Sequence, residues 1–169
     1  MMDEDNLWDG KLNLSRGDLL KEGGSSDSRL FFILNGCIRV AVEEGEEEHT
    51  IRLGYTGNFI TALDAFITEN ESDFRIEVLK KTNVLYVSRN RFYNWINQSS
   101  ERLIIWQKMM EGLILQQIER ERDILTANPL QRYKRVLNRS PQVFQEVPHK
   151  YIASYLRMTP ETLSRLKKE

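Results

Sequence analysis

"VPHKYIASYLRMTPETLSRLKK", residues 147–168, decides how the chain is read. Pro148 and Pro160 each suit the first turn of a helix, where the missing N–H costs nothing. They predict a helix over about 148–155, a tight turn at Leu156-Arg157-Met158-Thr159, and a last helix over 160–168. Ile152, Ala153, Leu156, Leu163 and Leu166 would form a small shared core, with Ala153 small where the helices approach closely. Thr159 can cap the last helix through its hydroxyl. Arg157 is uncomfortable if the turn needs positive φ, a conformation that glycine adopts most easily. Two short helices and a turn of three to four residues have helix-turn-helix dimensions. The outward face of the last helix is left with Glu161, Thr162, Ser164, Arg165 and Lys168.

The charge of the whole chain points the same way. Its net charge is −1. Residues 127–169 carry nine Lys or Arg against three acids, or +6, and residues 1–126 carry fifteen against twenty-two, or −7. An acidic body with a basic tail suggests that one end meets a polyanion. An arginine fork matches guanine O6 and N7, and a carboxylate accepts from cytosine N4, so Arg165 and Glu161 can read base edges. His149, Lys150, Thr159, Thr162, Ser164 and Lys168 lie where they can hold phosphates. Blander readings stand beside these: a surface salt bridge between Glu161 and Arg165, threonines that only cap, and a solvated basic helix face.

Upstream, residues 100–126 predict one long helix. Leu103, Trp106, Met110 and Leu113 step by three and four like a coiled-coil seam. Ile104, Ile114, Ile118 and Leu125 widen the stripe until it needs two neighbours, one its own body and one a second copy of the chain. Asn128-Pro129 then breaks the helix. Residues 130–138 resume it with Leu130, Tyr133, Val136 and Leu137 inward, and Ser140-Pro141 marks a further start. A short helix over 89–97 carries Phe92, Trp95 and Ile96 on one face.

Residues 11–88 read as short strands. "LFFIL" (30–34) is a buried run, and "CIRVAV" (37–42), "HTIRLGY" (49–55), "FRIEV" (74–78) and "NVLYV" (83–87) complete the set. In 37–42, Ile38, Val40 and Val42 face one way and Cys37, Arg39 and Ala41 the other. The charged turn at Glu44-Gly45-Glu46 makes 37–42 and 49–55 a hairpin. Many short strands separated by turn residues indicate a sandwich or jelly roll.

Other functions find little support in the residues. No apolar run approaches the ~18 residues of a membrane helix. The acidic start Met1-Met2-Asp3-Glu4-Asp5-Asn6 lacks a signal-peptide core, so a cytoplasmic protein is expected. Two histidines, one cysteine and no Gly-rich phosphate loop leave no catalytic residues and no metal ligands to nominate. A site joining Cys37 to His49 fails on spacing, because a hairpin tip near residue 45 pairs His49 with Val42 and leaves Cys37 ~17 Å along the strand.

The segment 147–168 resembles the helix-turn-helix of Crp/Fnr-type transcription regulators. "DLLKEGGSSDSRLFFILNGCIRV" (18–40) resembles the front of that family's cyclic-nucleotide-binding-like β-roll, and "GNFITALDAFITENESDFRIEVLKKTNVLYV" (57–87) its phosphate-cassette region. The resemblance covers residues 11–168 in the family's order. It implies an α+β fold: a cyclic-nucleotide-binding-like double-stranded β-helix, or jelly roll, over residues 1–99, a dimerisation helix over 100–127 and a DNA-binding helix-turn-helix over 128–169. It places Glu161 and Arg165 at base-reading positions and His149, Thr159 and Thr162 at phosphate contacts. Pro160 stands at a third base-reading position that is often basic, so the preferred sequence should differ from that of the best-known members. The family's β-hairpin wing follows the recognition helix, whereas this sequence stops at Glu169, so the wing is expected to be absent or truncated. Implied partners are a pseudo-palindromic double-stranded DNA, a second copy of the chain, and RNA polymerase as a further candidate.

In the cassette, members that bind cyclic nucleotides use a Gly-Glu pair and an Arg-Ser pair. Thr61-Ala62 and Ser72-Asp73 stand there instead. Without the arginine, and with Asp73 nearby, a phosphate meets repulsion, which argues against cyclic AMP. No cofactor is identified, and an unknown small effector stays open. The competing reading is a ligand-binding or interaction module with a non-functional helix-turn-helix.

Overall fold

Among the described residues of the computed structural model, 7–168, eight short strands come first and a run of helices follows. The acidic start at residues 1–6 and Glu169 lie outside them. The strands are β1 (Gly10–Leu14), β2 (Leu19–Lys21), β3 (Leu30–Asn35), β4 (Cys37–Glu44), β5 (Glu47–Tyr55), β6 (Phe59–Ile60), β7 (Arg75–Val78) and β8 (Thr82–Val87). They form two four-stranded antiparallel sheets, ordered β1-β8-β3-β6 and β2-β7-β4-β5. This is the expected roll. The β4–β5 hairpin forms in the expected register, with Val42 opposite His49 and Cys37 opposite Tyr55.

Two glycines fix how tightly the roll closes. Gly36 turns β3 into β4 at φ 110°, and a Cβ there would strike Thr82. Gly54 lies under Ile60 and Ile33, and a Cβ there would strike Ile60. Between the sheets Phe31, Ile33, Ile38, Ile60, Ile76 and Val84 pack into one apolar core.

Four short elements escape the sequence reading, the first of them β1. Helix α1 (Leu63–Thr68) interrupts the strands, and β2 and β6 are only three and two residues long. Helix α1 has no side-chain cap and ends at Glu69 with φ 62°.

The remaining helices are α2 (Arg89–Ile96), α3 (Ser100–Leu125), α4 (Pro129–Arg139), α5 (Pro141–Glu146), α6 (His149–Tyr155) and α7 (Pro160–Leu166). The starts of α4 to α7 follow the prolines, whereas α2 and α3 start after Ser88 and Ser99. Asn128 stops α3 and caps α4, its Oδ1 accepting from the N–H groups of Leu130 and Gln131 at 2.9 and 3.1 Å.

The outer face of β4 and β5 is covered rather than open to water. Cys37, Leu53 and Leu79 share a core with Val136, Val143, Tyr151, Ile152, Ala153, Leu156 and Leu163. This explains why Cys37, Arg39 and Ala41 are as buried as the inward side of β4. Arg39 pairs with Glu48 and Glu77, and its guanidinium lies 4.8 Å from the ring centre of Tyr151. Ser154 Oγ accepts from the Thr50 N–H at 3.2 Å, and Lys80 Nζ reaches the Glu146 carbonyl at 3.0 Å. The terminal helices are thus docked on the roll by apolar burial edged with polar contacts.

Candidate nucleic-acid interface and the cavity beside it

The turn between α6 and α7 is built by backbone geometry. The Met158 N–H donates to Ala153 O at 3.0 Å and the Arg157 N–H to Ser154 O at 3.0 Å. This six-to-one and five-to-two pair is a Schellman motif, whose hinge residue is left-handed and usually glycine. Here that residue is Arg157, at φ 52°. Arg132 braces the turn from behind, donating to Arg157 O at 3.2 Å and to Thr126 O at 2.8 Å.

Helix α7 starts on a threonine cap. Thr159 Oγ1 accepts from the Thr162 N–H at 3.2 Å, and the two hydroxyls lie 3.1 Å apart. Leu163 and Leu166 point into the protein, and Ile152, Ala153 and Leu156 meet them from α6. The other face is open: Glu161, Ser164, Arg165 and Lys168 are exposed, and Thr162 is half-buried. Among the described residues no ion pair joins Glu161 to Arg165. At the start of α6, Lys150 is exposed, with Nζ 4.6 Å from the Tyr151 ring centre. His149 is half-buried, and desolvation and then the charge of Lys167 hold its pKa below the usual 6.5. His149, Lys150, Thr159, Thr162, Ser164 and Lys168 therefore flank or share the segment that carries Glu161 and Arg165.

An ionic lock joins α3 to α4. The Asp123 carboxylate is fully buried and accepts from Arg135 Nε at 2.9 Å and from Arg139. Glu119 also pairs with Arg135, at 2.8 Å. Sequence reading missed this lock; its signal was four charged residues straddling the Asn128-Pro129 break.

The cassette positions are scattered. Thr61 donates to Arg29 O at 2.9 Å, and Ala62 is fully buried in the roll core. Ser72 is buried beside Ser25, and Asp73 borders an open groove with Glu22 and Glu43. Lys21 brings a buried positive charge to this region, its Nζ donating to the carbonyls of Ser72, Phe74 and Glu22 at 2.7–3.0 Å. Burial lowers its pKa, with Asp64, Asp27 and Asp73 opposing. Cys37 is sealed in the shared core, and burial pushes its thiol up to about 12, so it stays protonated and unreactive.

Helix α3 divides its apolar residues between two faces. Trp106 packs on its own chain, 5.1 Å from Phe92 and 6.0 Å from Phe66 between ring centres. Met110 and Leu113 are half-buried. Of the four seam residues, only Leu103 lies on the open face, with Ile104, Ile114, Leu115, Ile118 and Leu125. The free stripe is therefore rotated from the seam, because the aromatic cluster of α1 and α2 takes Trp106. Between α3, the roll and the terminal helices lies a cavity of about 520 Å³.

The model of the cyclic nucleotide-binding domain matches residues 11–99, more than half of the chain. The chain belongs to the cyclic nucleotide-binding domain family. No curated protein shows significant sequence similarity to it. Among solved structures, FixK2 from Bradyrhizobium japonicum superposes with a TM-score of 0.78 at 12% identity, over 94% of this chain and 82% of that one. A CooA variant from Carboxydothermus hydrogenoformans gives 0.72 at 16% identity, over 94% and 74%. CLP of Xanthomonas campestris, described as a c-di-GMP-responsive global regulator, gives 0.67 at 12% identity, over 94% and 84%. At these identities the likeness is one of fold. At 94% of this chain it reaches beyond the roll into the helices that follow. Among the described residues no helix is long and apolar enough to cross a membrane, and no group of three His, Cys, Asp or Glu could hold a metal ion.

Proposed function

We propose that the chain is a homodimeric, DNA-binding transcription regulator of the Crp/Fnr type, acting in the cytoplasm. One observation carries this reading: α7 buries its leucines and leaves Glu161, Ser164, Arg165 and Lys168 on an open face, at the end of a tail of charge +6. An exposed helix with a free arginine and a free carboxylate suits the major groove. The threonine-capped start of α7 and the cationic start of α6 suit the flanking phosphates.

The open stripe on α3 supports the dimer. Leu115 and Leu125 are 64% and 76% exposed, too much apolar surface to leave in water along one face of one helix. A second copy laid against it would pair two readers for successive major grooves, ~34 Å apart. CLP, one of the fold neighbours, is described as a global regulator, which supports this reading. The filled roll and the cassette without its arginine speak against cyclic AMP as effector.

The test is selection from a random duplex pool, followed by titration of the selected sequence at several salt concentrations. Affinity should fall steeply with salt, because each phosphate contact releases a counterion. Sedimentation should give twice the chain mass. Failure to select any sequence would leave a ligand-binding or interaction module instead.

A further inference from the structure

We infer that the cavity between the roll, α3 and the terminal helices binds a monocarboxylate with an apolar body, its carboxylate held by Arg52. The site stands on its own geometry; only its role as an effector site rests on the regulator reading.

The cavity of about 520 Å³ falls in the size range of small-molecule sites. Leu63, Phe66, Trp106, Met109, Leu113 and Val143 supply an apolar lining from the roll, the long helix and the tail. Arg52, Lys108 and Arg139 add positive charge, and no acidic residue lines it. A pocket of that composition favours a molecule that is apolar over most of its length and negative at one end.

Arg52 identifies that end. It is half-buried on β5, and its Nη2 donates to Gln116 Oε1 at 3.1 Å. Among the described residues no carboxylate pairs with it. Desolvation holds its pKa below the ordinary arginine value, with only Tyr155 opposing. A guanidinium drawn out of water costs free energy until a charge or a full set of acceptors compensates it. Arg120 deepens the imbalance nearby. It is 7% exposed, lies 3.8 Å from the Tyr155 ring centre, and has an unpartnered Nη1. Tyr155 itself lines the cavity. Arg139, by contrast, is already committed to Asp123. Of the two arginines in the wall, only Arg52 lacks an acid partner, and a carboxylate fits its fork in two parallel hydrogen bonds.

Because Val136, Val143 and Tyr155 belong to the terminal helices, a bound molecule would touch both the roll and the segment that carries the reader. Of the four cassette positions Thr61, Ala62, Ser72 and Asp73, only Thr61 reaches the wall, although Asn58, Phe59, Leu63 and Phe66 of the same segment line it too.

The probe is decanoate, titrated below its micellar concentration into the full chain and followed by calorimetry and by tryptophan fluorescence, since Trp106 is in the wall. Saturable binding at one decanoate per chain is expected. Neutral decanamide should bind at least about tenfold more weakly, the ratio one charge-assisted pair supplies. Arg52→Gln should lose about the same factor while keeping the thermal unfolding curve. Gly112→Phe, at a helical position whose Cβ direction is open, should fill the cavity and abolish binding without unfolding the chain. No decanoate binding, equal binding of decanamide, or undiminished binding by Arg52→Gln would each overturn the proposal. Duplex selection without decanoate is scored separately. Loss of decanoate binding with DNA selection intact defeats this inference alone, and the converse defeats only the regulator reading.

Discussion

Helix α7 and the loop leading from β6 to β7 hold the two sets of polar residues that the resemblance marks for ligands, and they meet opposite fates. On α7 the apolar side sinks into the shared core and the polar side stays in water, so Glu161 and Arg165 remain available at no desolvation cost. In the loop, Ser72 and Ala62 are buried, Asp73 turns to an outside groove, and the roll interior closes over Ile33 and Ile60. A groove-reading helix needs only an exposed face. A buried nucleotide site needs polar groups held inside the roll, and these are costly unless a ligand satisfies them. Once the cassette arginine is absent, filling the interior with isoleucine is the cheaper solution. The unmet charge lies instead outside the roll, at Arg52.

The largest effect should come from the core that couples the two regions. Leu156 is fully buried among residues of both the roll and the tail. Leu156→Ala should cost about 2–5 kcal/mol, from lost burial plus the cavity left behind. Because Cys37, Leu53 and Leu79 share that core, the whole chain should melt in one cooperative step at a lower temperature. Two calorimetric transitions, only the second shifted, would show that the roll and the tail are energetically separate.

Next come the reader's own side chains. Arg165→Ala should cost about 1–3 kcal/mol of discrimination at one base pair. Lys150→Ala should weaken every sequence alike and reduce the salt slope by about one. Competition titrations against single-base operator variants check both. Equal weakening of all variants by Arg165→Ala would move that residue from base reading to phosphate contact.

How much of this was legible depended on whether a signal was local. The two proline starts, the threonine cap, the five core positions of α6 and α7, and the β4–β5 register all follow from neighbours in sequence, and the structure has them. Helix α1 did not announce itself: six residues without a side-chain cap, ending in Ile67 and Thr68, carry little helical preference. The docking of the tail was hidden for another reason. Cys37, Arg39 and Ala41 share the outer side of β4, and nothing in that strand says what covers it. What buries Arg39 is Tyr151, 112 residues away, with Glu48 and Glu77 to balance its charge. Which side of α3 its own chain covers was hidden in the same way, since nothing in the helix itself says that Phe66, Phe92 and Tyr93 will claim Trp106.

A smaller effect tests the turn that sets α7 at its angle. Arg157 occupies the left-handed hinge of a Schellman motif without the freedom of glycine. Arg157→Gly should stabilise the chain by about 1 kcal/mol, because the Cβ penalty disappears and only the unfolded chain's greater freedom opposes it. For a chain of this size that raises the melting temperature by about 2–4 °C. The backbone carbonyl that Arg132 uses is unchanged by the substitution. A fall in stability would mean that the exposed Arg157 side chain holds something the fold needs.

The smallest effect concerns His149 at the edge of the reader. Its pKa in the folded chain lies below 6.5, through desolvation and the charge of Lys167, so the fold favours the neutral ring. The unfolded chain therefore takes up the proton first, and His149 withdraws stability as pH falls through 6.5 toward the folded value. A phosphate reverses the balance, since it favours the imidazolium and raises the pKa in the complex. Duplex affinity should rise a few-fold as pH falls through the window between the two values, with a fraction of a proton taken up on binding. His149→Gln should remove most of that slope while keeping the affinity seen at high pH. Measuring affinity across pH at constant ionic strength separates this from general charge effects, and an unchanged slope in the variant would remove His149 from the phosphate contacts and leave Lys150 to anchor that side alone.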